Sequence, residues 1–99
     1  MSTELTINLT NIKTSAELHT LLMEKLNFPS FYGRNWDAFW DAITGLTEMP
    51  ESITFIGWSE FLNTLTNDAE ILQTLLRKYC AYYGEITIIY SKRQIDRVF

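Results

Sequence analysis

Three short runs of strand-forming residues, set far apart along the chain, narrow the folds open to it. Leu5-Thr6-Ile7-Asn8-Leu9 alternates apolar and polar side chains, the period of a half-buried strand. Ile53-Thr54-Phe55-Ile56 is a run of β-branched and aromatic residues, a second strand closed by Gly57. Glu85-Ile86-Thr87-Ile88-Ile89-Tyr90 is a third, expected to be more buried than the first because Ile88 and Ile89 are consecutive. Intervening segments of this length hold helices, and helical crossovers join parallel strands. The expectation is an α/β fold, a small three-stranded parallel sheet packed with about four helices.

The helices have local start and stop signals. Thr14 stands three residues before Glu17, the spacing of a capping box, and Leu18, Leu21, Leu22 and Leu26 follow at helical intervals. A first helix over 15–26 follows, ended by Asn27-Phe28-Pro29 because proline cannot continue the ladder. Asn35 is a good N-cap for a second helix from Trp36 to about Ile43, with Gly45 and Pro50 marking its exit. Ser59 is placed to cap a short helix through Phe61, Leu62 and Leu65. Asn67 with Glu70 repeats the capping spacing before the stripe Ile71, Leu72, Leu75, Leu76 and Tyr79. Gly84 closes that longer helix.

A chain of 99 residues supports one core, read here as a domain over 1–90 with a charged C-terminal extension over 91–99. At 46% hydrophobic and 20% charged it has the composition of a globular protein rather than a disordered one. No apolar run reaches the ~18 residues of a membrane span, and the N-terminus lacks the pattern of a signal peptide. The lone Cys80 cannot form an internal disulfide, so a cytoplasmic location is expected. Net charge is −4, and it is unevenly spread: no Lys or Arg lies between Arg34 and Arg77. That window holds Asp37, Asp41, Glu48, Glu51, Glu60, Asp68 and Glu70. Such a field repels nucleic acid and attracts a basic partner, or it serves only to keep the protein in solution.

Catalytic signatures are missing. There is no Gly-rich phosphate loop, cysteine pair, histidine cluster or nucleophile elbow, so neither metal nor cofactor is implied. His19, the single histidine, is expected at a helix surface or core margin, with no sequence-near partner for acid–base work. Asp37 and Asp41 share one short helix, a poor arrangement for two carboxylates flanking a sugar. Catalytic residues are therefore expected to be none.

At about 100° per residue, the second helix places Phe39, Ala42, Ile43 and Leu46 on one side and Asp37, Asp41 and Thr44 on the other. Trp36 and Trp40 fall at the boundary. Two readings stay open at this point. The tryptophans are core residues and the aspartates a solvated face, with Asp37 favoured by the helix dipole. Alternatively, aromatic anchors beside carboxylates form a binding patch for a basic partner.

The segment Phe31-Tyr32-Gly33-Arg34-Asn35-Trp36-Asp37-Ala38-Phe39-Trp40-Asp41, with Thr44-Gly45 following, resembles the signature of the barstar family. These are intracellular inhibitors of barnase-type extracellular ribonucleases. The first helix with His19, Trp58 before Phe61, the Asn67 to Glu70 segment and the closing Ile86-Thr87-Ile88-Ile89 strand agree in order and spacing. The resemblance implies a barstar-like fold and an immunity or antitoxin role toward a basic ribonuclease, as a monomer binding one nuclease, without nucleic acid or membrane. It implies that Asp41 takes the place of a substrate phosphate in the nuclease active site and that Asp37 is a second acidic contact. It implies that Asn35, Ala38, Trp40, Thr44 and Gly45 line the rest, within a surface running from Phe31, Tyr32 and Gly33 through Trp36 to Leu46. Three positions depart from the family pattern. Phe31 replaces a contact tyrosine, Leu46 replaces an aromatic, and Lys78 falls where an acidic contact is expected. A partner whose rim differs from barnase's, or a non-nuclease partner of a barstar-like interaction domain, is the alternative these departures raise.

Overall fold

In the computed structural model, which describes residues 3–92, the three strands pair side by side as parallel neighbours. The strands are β1 (Glu4–Asn8), β2 (Ser52–Ile56) and β3 (Thr87–Ser91), in the order β1-β2-β3. Leu5 sits beside Ile53 and Ile7 beside Phe55, while Ile53 and Phe55 sit in turn beside Ile88 and Tyr90. Parallel pairing requires a crossover. The first runs through α1 (Ser15–Leu26) and α2 (Trp36–Gly45), the second through α3 (Trp58–Thr64) and α4 (Thr66–Tyr83). The chain is thus a small three-stranded α/β domain with four helices among the described residues, as its sequence indicates.

The most buried strand is β2, because it is flanked on both edges: Ile53, Phe55 and Ile56 are all buried. The expectation that β3 is more buried than β1 fails. Both are edge strands, yet β3 has no fully buried residue and leaves Ile89 exposed, whereas β1 buries Ile7 completely. Consecutive isoleucines report two apolar faces only where both faces are covered.

Helix α1 begins as expected. Thr14 accepts from the Glu17 amide, and Glu17 accepts in return from the Thr14 amide, so two otherwise orphaned donors are satisfied. It ends at Asn27, which turns left-handed (φ 61°) before Pro29 is reached, and the Phe28 amide reaches back to the Met23 carbonyl. Helix α3 starts one residue earlier than its expected cap. Gly57 takes φ 76° and Trp58 is already helical, so Ser59 does not cap it. A Cβ on Gly57 would lie 2.7 Å from Thr10 Oγ1, which is why the turn is glycine. Only Leu65 separates α3 from α4, so Asn67 is inside α4 and no side chain caps that helix. Thr66 instead bonds the Leu62 carbonyl at 2.7 Å, tying the two helices together.

The core lies between the sheet and the helices. Ile7, Ile53 and Phe55 meet Leu18, Leu22, Phe39, Phe61 and Leu72, all essentially without solvent contact. Helix α2 packs against α4 and so is held at the surface by one face only.

Candidate functional site

The segment with the odd residue choices is an exposed helix with a braced loop in front of it. Asn35 caps α2 by accepting from the Ala38 amide at 2.7 Å, and its amide group donates to the Gly33 carbonyl at 3.2 Å. Arg34, just before the cap, is left-handed (φ 54°), a conformation that costs energy for a side chain other than glycine. A Cβ on Gly33 would stand 3.3 Å from the Ala38 Cβ, so the loop lies tight against the helix. Helix α2 runs two residues past its expected end, to Gly45, and the Leu46 amide bonds the Ala42 carbonyl.

Burial divides α2 nearly as its periodicity indicates. Phe39, Ala42 and Ile43 are buried, Asp37 and Asp41 are exposed, and Trp36 and Trp40 are half-buried at the boundary. Thr44 is half-buried too, its hydroxyl turned back onto the Trp40 carbonyl at 2.7 Å. Leu46 departs from the expected core stripe. It stands beyond the last turn and is 48% exposed, so it belongs to the surface.

Asp41 stands on a ridge between two hollows. On one side are Phe31, Tyr32, Gly33, Ala38 and Leu46, with Phe31 74% exposed. On the other side are Trp36, Asp37 and Trp40 of α2 with Ile71, Leu75 and Lys78 of α4. Neither aspartate is in an ion pair with another described residue; the one such pair between described residues, Lys13 with Glu60 at 3.3 Å, involves other positions. Lys78 lies over the Trp40 ring, its ammonium 4.6 Å from the centroid.

Beneath this surface lies a polar and aromatic strut that links four segments. His19, from α1, is buried rather than marginal, contrary to expectation. Its Nδ1 is 2.6 Å from the Tyr32 hydroxyl, and its ring stacks at a tilt on Trp36 with centroids 4.5 Å apart. Trp36 in turn donates from Nε1 to Asp68 of α4 at 2.9 Å. Burial holds His19 below the usual histidine range despite the opposing pull of Asp68, and holds the Tyr32 phenol well above its ordinary value. The imidazole is therefore neutral near pH 7, and the phenol donates to Nδ1 when the ring proton is on Nε2. Of the two residues named from sequence as surface contacts, Tyr32 faces inward, while Trp36 is half-buried and lines the hollow beside Asp37. Tyr32 is buried and Trp36 has its polar atom occupied. The roles of His19, Asp68, Ile71 and Leu75 were not legible in local pattern, since each meets α2 or its loop only through tertiary packing.

Among the described residues no group of three or more His, Cys, Asp or Glu could hold a metal ion, and no helix is long and apolar enough to cross a membrane. What the arrangement can do is bind. The exposed face of α2 offers two carboxylates that form no ion pair among the described residues, flanked by an exposed aromatic and an apolar groove, a chemistry complementary to positive charge.

The fold is that of a small α/β domain with a three-stranded parallel sheet. The family model described as "Barstar (barnase inhibitor)" matches residues 2–92, and the chain belongs to the barstar family. The family is one of inhibitors, not of enzymes. The chain is also similar to the "Putative ribonuclease inhibitor YrdF" of Bacillus subtilis (strain 168), 47% identical over 47 residues. That match spans 48% of this chain and 50% of the relative, so about half of each.

Proposed function

We propose that this protein inhibits a basic extracellular ribonuclease of the barnase type by laying α2 and its preceding loop over the enzyme's active site. Asp41 enters the site and stands in for a substrate phosphate. Asp37 adds a second acidic contact, and Phe31, Gly33, Asn35, Ala38, Trp40, Thr44, Gly45 and Leu46 form the surface around them. Tyr32 acts from below by fixing the loop, and Trp36 both anchors the first turn of the helix through Asp68 and lines the hollow beside Asp37.

The observation that carries this reading is the position of Asp41. It is exposed, without an ion-pair partner among the described residues, and set on a ridge between two hollows. A carboxylate so placed is open to solvent and engaged in no salt bridge among the described residues, so its charge is available to a partner's cations. Family membership supplies the class of partner. The basic-free window from Asn35 to Leu76 supplies the long-range field that would steer it. An inhibitor that protects the cell making the nuclease acts in the cytoplasm, as a monomer binding one enzyme.

Titrating the purified protein into barnase, with cleavage of an RNA substrate followed by fluorescence, tests the reading. Activity should fall to baseline at one equivalent, and more steeply at low ionic strength. Undiminished cleavage at a large molar excess, with barnase and with other basic ribonucleases, would refute it.

A further inference from the structure

Lys78 is the one cation in the hollow formed by Trp36, Asp37, Trp40, Asp41, Ile71, Leu75 and Lys78 among the described residues. Its ammonium lies over the Trp40 ring, 4.6 Å from the centroid, and is in an ion pair with neither Asp37 nor Asp41. The ring beneath it is held from the side: Tyr83 meets it edge-on with centroids 6.1 Å apart, and Tyr83 is itself stacked on Tyr79 at 5.5 Å. Trp40 thus presents a fixed aromatic face close to two exposed carboxylates. That combination is a seat for a guanidinium or ammonium group, since an indole face attracts a cation and nearby negative charge adds to the attraction. In the free protein the seat is taken by a residue of the same chain.

We propose that Lys78 is a built-in competitor: its ammonium fills a cation seat formed by Trp40 beside Asp37 and Asp41, and a partner's arginine or lysine must displace it to bind there. The interaction surface that results is graded. Partners with a cation aimed at Trp40 bear the cost of displacing Lys78, and those whose cations reach only Asp41 do not. The seat itself stands on the geometry of this chain. Its use in ribonuclease binding rests on the proposed inhibitory function.

The test has two arms. First, arginine methyl ester is titrated at low ionic strength into the wild type, Lys78→Gln and Lys13→Gln, with the Trp40 indole resonance followed by NMR and assigned with Trp40→Leu. Lys13→Gln changes net charge equally but lies on the far helix lead-in, paired with Glu60. Removing a surface cation–π competitor should tighten ester binding about two- to fivefold in Lys78→Gln. Lys13→Gln should stay near wild type, and Trp40→Leu in the Lys78→Gln background, followed at the Asp41 backbone amide instead, should abolish the gain. Equal binding by wild type and Lys78→Gln, or an equal gain in Lys13→Gln, overturns the proposal. Second, inhibition of barnase by the same variants is measured. Lys78→Gln should inhibit more tightly than Lys13→Gln, and weaker inhibition would mean that Lys78 meets an acid of the partner, which also overturns it. Loss of all inhibition with the ester result intact would sink the ribonuclease reading and leave the seat standing.

Discussion

Tyr32→Phe removes one oxygen atom and keeps the ring, so it isolates the strut beneath the loop. The hydroxyl is 2.6 Å from His19 Nδ1, and both residues are almost wholly out of solvent, at 6% and 2% exposure. Water cannot take the missing place without opening the core. The variant therefore forfeits the hydrogen bond and leaves a buried imidazole nitrogen unpaired, for about 1–3 kcal/mol. For a domain of this size each kcal/mol lowers Tm by about 4–8 °C, so a midrange loss of about 2 kcal/mol lowers it by about 8–16 °C. The packing of the ring on Phe28, with centroids 4.8 Å apart, is retained, and no cavity contributes. Urea denaturation followed by tryptophan fluorescence, alongside a thermal melt by circular dichroism, measures the change. The double variant Tyr32→Phe/His19→Leu provides the internal check. With both polar groups gone, it should be less destabilised than the sum of the two single variants. A Tyr32→Phe protein melting within about 2 °C of wild type, or strictly additive losses, would refute the claim that this bond braces the loop.

The same strut makes stability depend on pH. Burial lowers the His19 pKa below its unfolded value of 6.5, so below that pH the unfolded chain binds more protons than the folded one. The stabilisation is complete above pH 6.5 and declines as pH falls toward the folded-state pKa, by at most about 1.4 kcal/mol per unit. Denaturant melts between pH 5 and 7.5 should show that slope in the wild type and not in His19→Gln; equal slopes would contradict it. At the surface, Phe31→Ala should leave Tm within about 2 °C, because a ring 74% exposed contributes little to the fold, yet weaken inhibition about tenfold or more as a lost aromatic anchor. Unchanged inhibition constants would remove Phe31 from the contact surface.

Much of the architecture is written locally, and the exceptions share a physical cause. Thr14 and Glu17 set the start of α1 because the capping box is closed within three residues of chain. Asn35 sets the start of α2 for the same reason. Ser59 and Asn67 carry similar signals but do not cap, because Gly57 turns the chain directly into α3 and Leu65 alone divides α3 from α4. Tertiary packing there leaves no room for the local motif. The amphipathic split of α2 was legible, since Asp37 and Asp41 fall opposite Phe39 and Ala42 at any helical register. The inward turn of Tyr32 was not, because it is decided by a buried histidine 13 residues earlier in the chain. The seating of Lys78 on Trp40 likewise depends on how α4 crosses α2, which no sequence period reports.

The proposed inhibition depends above all on Asp41, and the inhibition constant of an Asp41 variant against barnase is the direct measurement. Asp41 has no ion-pair partner among the described residues, so Asp41→Ala should leave the melting temperature nearly unchanged and act on binding alone. Truncating one partner of a buried, hydrogen-bonded charge pair costs about 2–5 kcal/mol, a range to which the barnase–barstar complex itself contributed. Inhibition should therefore weaken by at least about thirtyfold, through faster dissociation, while the folded variant melts with the wild type. An Asp41→Ala protein that inhibits as tightly as wild type would contradict the phosphate-mimic mechanism outright.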